Sequence, residues 1–172
     1  MLEVTGTSVS NKSAETLNVL IVGAGFGGMY MLQKLREMGF RVKAVDRAKG
    51  VGGTWYWNRY PGARCDVVSL DYSYSFSDKI QQAWTWKEKY AAQPEILAYA
   101  EFVARELDLP KDIRFETDIV SMNFDDDTSC WHVTTGAGDL FIAQHVVMAT
   151  GCLSTPKAPD IPGINDFRGE VY

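Results

Sequence analysis

Long apolar runs are missing. Charged or polar residues interrupt every hydrophobic stretch before it reaches the ~20 residues that a membrane-spanning helix needs. A basic excess is missing too. Lys and Arg number 17 against 22 Asp and Glu, a formal net charge of -5, and no basic cluster points to nucleic acid or to an anionic membrane. Cysteine is scarce. Cys65, Cys130 and Cys152 form an odd set without metal-ligand spacing, so neither a disulfide framework nor a metal site is indicated. Histidine is scarcer still, and neither His132 nor His145 has a partner at catalytic or metal spacing. Asp125-Asp126-Asp127 reads as a solvated turn. Residues 1–16 lack the basic start and apolar core of a secretory signal and read as a disordered polar lead. These absences point to a cytoplasmic protein with no nucleic-acid or membrane partner.

What is present suffices for one domain. The chain has 172 residues, 46% of them hydrophobic and 23% charged, typical of a globular protein with a core. Its most informative stretch is Val19-Leu20-Ile21-Val22-Gly23-Ala24-Gly25-Phe26-Gly27-Gly28. An apolar strand runs into a turn in which Gly23, Gly25 and Gly28 fit G-x-G-x-x-G. Gly23 allows the tight turn, Gly25 lets a pyrophosphate approach, and Gly28 lets the helix pack close to the strand. The context supports the motif. A helix follows from Phe26 to Met38, with Gly39 as its stop, and a second strand from Arg41 ends in Asp46. A carboxylate there accepts the free ribose diol of FAD or NAD and disfavours a 2′-phosphate. Arg47 either reaches the adenosine phosphates or is a solvated arginine at a strand end.

A long loop comes next, Gly50 to Asp66, with four aromatics and four glycines. It reads either as a surface loop anchored by its aromatics or as a wall around a flat cofactor ring. In the second reading Gly52 and Gly53 supply backbone approach, and Trp55 and Trp57 pack around the ring. Tyr72-Ser73-Tyr74-Ser75-Phe76 alternates like a short strand. Pro94 opens a helix at N1 with an apolar face of Ile96, Tyr99, Ala100, Val103 and Leu107. Strands are expected at Ile113 to Phe115, Asp118 to Phe124 and His145 to Ala149. A hairpin of Trp131 to Thr135 and Leu140 to Ala143 turns at Gly136–Gly138. Pro156, Pro159 and Pro162 stiffen an extended exit. This order gives an α/β fold: an FAD-binding Rossmann-type domain, with a parallel sheet that starts βαβ and a β-hairpin layer over one side.

The block Gly52-Gly53-Thr54-Trp55-Tyr56-Trp57-Asn58-Arg59-Tyr60-Pro61-Gly62-Ala63-Arg64-Cys65-Asp66 resembles the N-terminal part of the Baeyer–Villiger monooxygenases. So do Tyr72 to Phe76, Gln93 to Leu97, and Ala149-Thr150-Gly151-Cys152-Leu153-Ser154. Arg64-Cys65-Asp66 is closer to the phenylacetone and steroid monooxygenase branch than to the cyclohexanone branch. The resemblance implies an enzyme that uses NADPH and O₂ to convert a ketone to an ester or lactone through a C4a-peroxyflavin. It implies that Gly23, Ala24, Gly25, Phe26, Gly27 and Gly28 hold the FAD pyrophosphate, with Asp46 on the ribose and Arg47 beside it. Gly53, Thr54, Trp55, Tyr56 and Trp57 would line the ribityl and ring region. Tyr72 would touch the flavin, and Ile119 would meet the adenine side through its backbone. Arg64, Cys65 and Asp66 would lie where nicotinamide meets flavin, with Asp66 the candidate catalytic residue; an N-cap of the following segment is the other reading of Asp66. Family members are longer and carry a second dinucleotide domain for NADPH. Phe167-Arg168-Gly169-Glu170-Val171-Tyr172 supplies the first six positions of their F-x-G-x-x-x-H-T-x-x-W-P fingerprint. The chain is therefore expected to be an incomplete domain. Residues 17–153 would be the N-terminal portion of the FAD domain, and residues 154–172 a linker toward the NADPH domain. Two alternatives stay open: an N-hydroxylating or flavin-containing monooxygenase, and a non-catalytic FAD-binding module.

Overall fold

The apolar run that precedes the glycine turn becomes the centre of a six-stranded sheet. The computed structural model of the protein describes residues 14–171. Its strands are β1 (Glu15–Val22), β2 (Val42–Val45), β3 (Ile113–Arg114), β4 (Ile119–Asp125), β5 (Cys130–Thr135) and β6 (Leu140–Met148). They lie in the order β3-β2-β1-β6-β5-β4. Pairings are parallel from β3 through β6 and antiparallel among β6, β5 and β4. Leu20 and Ile21 are fully buried, as befits a strand covered on both faces. Among the described residues no helix is long and apolar enough to cross a membrane.

One face of the sheet is covered by α1 (Phe26–Glu37) and α4 (Gln93–Glu106). Met29 and Leu32 of α1, and Ala100 and Ala104 of α4, share a cluster with Val19, Ile21, Val42 and Ala44. The helix ends follow local rules. Gly39 is left-handed (φ +82°), and its amide donates to Arg36 O while Phe40 N–H donates to Leu35 O, a Schellman stop. Arg36 then donates to the carbonyls of Leu107 and Asp108 beyond the end of α4, which locks the two helices together.

The other face is covered by the antiparallel strands. Leu20 of β1 and Val45 of β2 cluster with Val133 of β5 and Phe141 of β6, although β1 and β6 separate β2 from β5 in the sheet order. The hairpin layer therefore curls over the parallel strands while remaining hydrogen-bonded to them. It can do both because β6 is longer than expected. The sequence suggests separate strands at Leu140 to Ala143 and His145 to Ala149; they are one strand. β6 pairs with β1 from Phe141 to Met148 and with β5 from Leu140 to Ala143.

Other expectations shift. Glu15 and Thr16, expected in the disordered lead, belong to β1, paired with Phe141 and Ile142, and Glu15 makes an ion pair with Lys43 (2.6 Å). The rest of that lead, residues 1–13, lies outside the described residues. Tyr72 to Phe76 is not a strand. A 3-10 turn, Ser69–Tyr72, leads into irregular chain and then α3 (Asp78–Ala83). Side chains satisfy this backbone instead of a ladder: Tyr74 N–H donates to Tyr99 Oη (2.8 Å) and Tyr74 Oη–H to Phe26 O (2.5 Å). Gln93, not Pro94, is the first residue of α4. The long loop contains one helical turn, α2 (Thr54–Trp57). Residues 151–163 run exposed and without regular structure.

Three glycines of the first turn differ sharply in the space around them. A Cβ on Gly23 (φ +111°) would stand 2.4 Å from Ala149 O, and one on Gly28 would stand 1.9 Å from Gly23 O; a Cβ on Gly27 would meet nothing within 4 Å. Gly23→Ala is expected to cost at least ~3 kcal/mol through overpacking and left-handed strain. Gly27→Ala is expected to stabilise the protein by ~0.5–1 kcal/mol through helix propensity. Urea denaturation of the two variants checks both signs.

Candidate functional site

β2 flanks β1 on one side and β6 flanks it on the other. The crevice beyond the carboxyl ends of these parallel strands is a switch point of the topology, where ligands of open α/β sheets bind. A cleft of about 740 Å³ lies there, within the size range of small-molecule sites. Its walls come from six segments: the glycine turn after β1, the end of β2, the α2 turn, Tyr72, the start of β4 from Thr117 to Met122, and the chain from Met148 to Thr155.

The first wall is the N-terminus of α1. Met29 N–H makes the first intrahelical bond, to Gly25 O (2.9 Å), so the amides of Phe26, Gly27 and Gly28 precede any intrahelical acceptor. No side chain caps this end, and its first turn holds no acid. The result is a positive dipole end facing a cleft, a natural seat for an anion.

The second wall is Asp46. Its Oδ2 accepts from Ala24 N–H (2.6 Å) and its Oδ1 from Ala48 N–H (2.8 Å). Asp46 thus stitches the glycine turn to the end of β2, in addition to lining the cleft. That bracing role was not legible in the sequence. Next to it, Arg47 lays its guanidinium over Trp57 (5.2 Å to the ring centroid) and donates to Ser154 O (3.0 Å). It is neither buried nor free.

The third wall is built on the first. Gly52 N–H donates to Ala24 O (3.1 Å), and a Cβ on Gly53 (φ +55°) would stand 2.9 Å from Gly25 Cα. The two glycine loops lie back to back. Gly25 therefore faces Gly53 as well as the cleft, so its lack of a side chain serves loop packing too. Trp55 is buried at 8% exposure. Its carbonyl accepts from the buried side chain of Gln93 (2.5 Å), an anchor that residue-type patterns did not reveal. Trp55 also makes edge contact with Tyr72 (5.6 Å between centroids), which makes edge contact with Phe26 (5.7 Å).

Of the residues expected at the site, Gly23, Gly25, Phe26, Gly27, Asp46, Arg47, Gly53, Thr54, Trp55, Trp57, Tyr72 and Ile119 line this cleft. Ala24 and Gly28 support it from behind. Tyr56 turns away, accepting from Lys49 N–H through its hydroxyl (3.3 Å). Arg64 also points elsewhere, to Glu88 and to Tyr90 O. Cys65 is buried among Trp55, Ala91 and Ile96. Asp66 is exposed and does not cap the following turn, whose N-cap is Val68. Burial chiefly raises the Tyr72 phenol above its ordinary pKa, opposed by a hydrogen bond with Trp55 and reinforced in smaller measure by Cys65 and Asp66. Thr117, Asp118, Met122 and Met148 also line the cleft, with no motif in the sequence to mark them. Thr117, Asp118 and Met122 sit where the start of β4 meets the end of β2, Thr117 N–H donating to Asp46 O (2.9 Å), and Met148 ends β6 beside Val22.

Under the cleft, burial raises the pKa values of Tyr74 and Tyr99. Their neutral forms are held in the fold, so their contribution is present below the unfolded value of about 10 and is lost as pH climbs above it. Stability is expected to fall steeply above that pH, and less steeply in Tyr74→Phe, as read by denaturation at stepped pH. A second expectation concerns Asp46→Asn. An amide can offer one acceptor oxygen to two N–H donors, so one donor is left without a partner. The ligand-free protein should lose ~1–3 kcal/mol, measured by urea unfolding.

A family model described as pyridine nucleotide-disulphide oxidoreductase matches residues 20–172. Among curated proteins, a phenazine N-monooxygenase of Lysobacter antibioticus is 46% identical over 155 residues, 90% of this chain and 29% of its own length. An acetone monooxygenase (methyl acetate-forming) of Gordonia sp. strain TY-5 is 44% identical over 159 residues, 92% of this chain and 30% of its own. Among solved structures, an oxidised steroid monooxygenase bound to NADP superimposes with a TM-score of 0.81 at 51% identity, over 87% of this chain and 29% of that one. The chain thus spans about three tenths of the length of the relatives it matches.

Proposed function

The chain belongs to the pyridine nucleotide-disulphide oxidoreductase family, and from that premise we propose that its cleft holds FAD as part of an NADPH- and O₂-dependent Baeyer–Villiger monooxygenase. The observation that carries this reading is the open, uncapped end of α1 set beside Asp46. The residues fit the cofactor. Three free amides and the helix dipole suit a pyrophosphate. Asp46 suits a ribose diol and repels a 2′-phosphate. A relative of this fold binds NADP; the carboxylate at the end of β2 argues that NADP does not sit here and that the second dinucleotide, FAD, does. Bound there, the flavin supplies the redox chemistry by which NADPH and O₂ oxidise a ketone to an ester or lactone.

The chain's own residues have three tasks. Phe26, Gly27 and Gly28 neutralise phosphate charge through backbone amides. Trp55, Tyr72 and Phe26 form a packed aromatic wall that excludes water from the inner end of the cleft. Asp66, exposed beside Tyr72, would act on that end through its charge, orienting a nicotinamide amide or a partner arginine. The acetone monooxygenase among the relatives favours a ketone substrate. The phenazine N-monooxygenase supports a second reading, in which the oxygen acceptor is an aromatic ring nitrogen.

Purified protein titrated with FAD should take up the cofactor and turn yellow; a protein that stays colourless overturns the reading. Gly27→Asp sharpens the test, because Gly27 has open space around it. An acid in the first turn should stabilise the ligand-free protein by about 0.3–1 kcal/mol. The same charge should weaken FAD binding by repelling the pyrophosphate. Oxygenation of a simple ketone or of a phenazine by the FAD-loaded enzyme, with NADPH consumed, separates the two acceptor classes.

A further inference from the structure

A line of aromatic rings leads from the cleft to a different face of the protein. Trp55 lines the cleft. Trp86 packs against the buried cluster that contains Trp55, and equally against the cluster built on Tyr99. Trp84 makes an edge contact with Trp86 (5.7 Å between centroids) and with Tyr99 (5.3 Å). A second course joins the same ends by Tyr72, Phe26 and Tyr99, with no centroid gap above 6.1 Å. Trp84 then lines a groove of about 480 Å³ together with Lys87, Glu88 and Glu95. Its Nε1–H is buried with no acceptor. An ordinary structural tryptophan finds a partner for that group, and Trp86 does so, donating to Ser73 Oγ (2.8 Å).

We propose that Trp55, Trp86 and Trp84 form an electron relay that discharges one-electron oxidising equivalents from the cleft to the groove. The proposal rests on the reading that FAD occupies the cleft. Indole is the most easily oxidised ring in the line. The buried phenols of Tyr74 and Tyr99 hold their protons, and a phenol yields an electron readily only as its proton leaves. The tryptophans are therefore the stations and the other rings the packing between them. The electrons balance as follows. Trp55 would give one electron to a bound flavin excited by blue light, leaving that flavin one electron reduced. Trp86 refills Trp55, Trp84 refills Trp86, and a thiolate in solution refills Trp84, leaving a thiyl radical that pairs with another to form a disulfide. No bond within the protein breaks. The buried Nε1–H of Trp84 has no acceptor to take its proton, so the oxidised indole stays a cation.

The test is flash photolysis of the FAD-loaded protein, with cofactor uptake scored first by visible absorbance. Wild type should show a long-lived tryptophan radical cation, and added thiol should quench it while bleaching the flavin. Trp84→Phe should lose the long-lived signal and the thiol-dependent bleaching. It breaks no hydrogen bond, because the lost N–H has no partner, and it keeps an aromatic ring against Tyr99 and Phe102, so FAD uptake should persist. Trp86→Phe should do the same by cutting the line in its middle. A yellow Trp84→Phe protein with wild-type radical lifetime and bleaching overturns the relay alone. A wild-type protein that takes up no FAD overturns the reading of the cleft, and the relay falls with it.

Discussion

A contact between two pieces of main chain holds the site together. The carbonyl of Gly23 occupies the space that a side chain on Gly28 would fill, and the carbonyl of Ala149 occupies the space that a side chain on Gly23 would fill. These approaches set how close α1 can come to β1, and how close the end of β6 can come to the turn. Everything at the mouth of the cleft inherits that spacing. Ala24, held between the two glycines, gives its N–H to Asp46 and its carbonyl to Gly52. One residue thereby ties the first loop to both of its neighbours.

The aromatic loop depends on this node, and its tryptophans are fixed by it. Gly53 lies against Gly25, and α2 starts at the next residue. The inner wall is then pinned from below by Gln93 at the head of α4. Burial and hydrogen bonding act together here. Trp55 has its ring enclosed and its carbonyl satisfied, so it is positioned by two independent constraints. The same logic explains why Tyr56, one residue on, cannot share the task. Successive residues of a helical turn point about 100° apart, and Tyr56 faces Gly50 and Lys49 instead.

Much of this was legible in the chain. The βαβ opening, the glycine turn, Asp46 and the aromatic wall could be read because each depends on short spacing and residue type. The misreadings share one cause, competition from distant partners. Alternation at Tyr72 to Phe76 suggests a strand, but Tyr99 and Phe26 supply the hydrogen bonds that a ladder would have supplied. Gln144 looks like a break between two strands, yet it lies within β6 and its side chain accepts from Asn18. Arg64, Cys65 and Asp66 form a block by resemblance but disperse in space. Arg64 goes to Glu88, Cys65 enters the core, and Asp66 stays at the surface. Gln93 as an anchor for Trp55 was invisible because no periodicity marks a lone buried amide.

The long strand β6 has a consequence for the order in which the molecule assembles. Val22 finds its partner Met148 only after nearly the whole described chain has been made. During synthesis β1, α1 and β2 can associate early, but one edge of β1 then waits with its amides unpaired. Contacts so far apart in sequence are slow to close, and an unpaired apolar strand is a template for misassociation. Ala149, which seats the glycine turn, arrives with the same late strand. The anion seat at α1 is therefore finished last, and a nascent chain too short to contain β6 would expose its most hydrophobic strand before it could hold any ligand there.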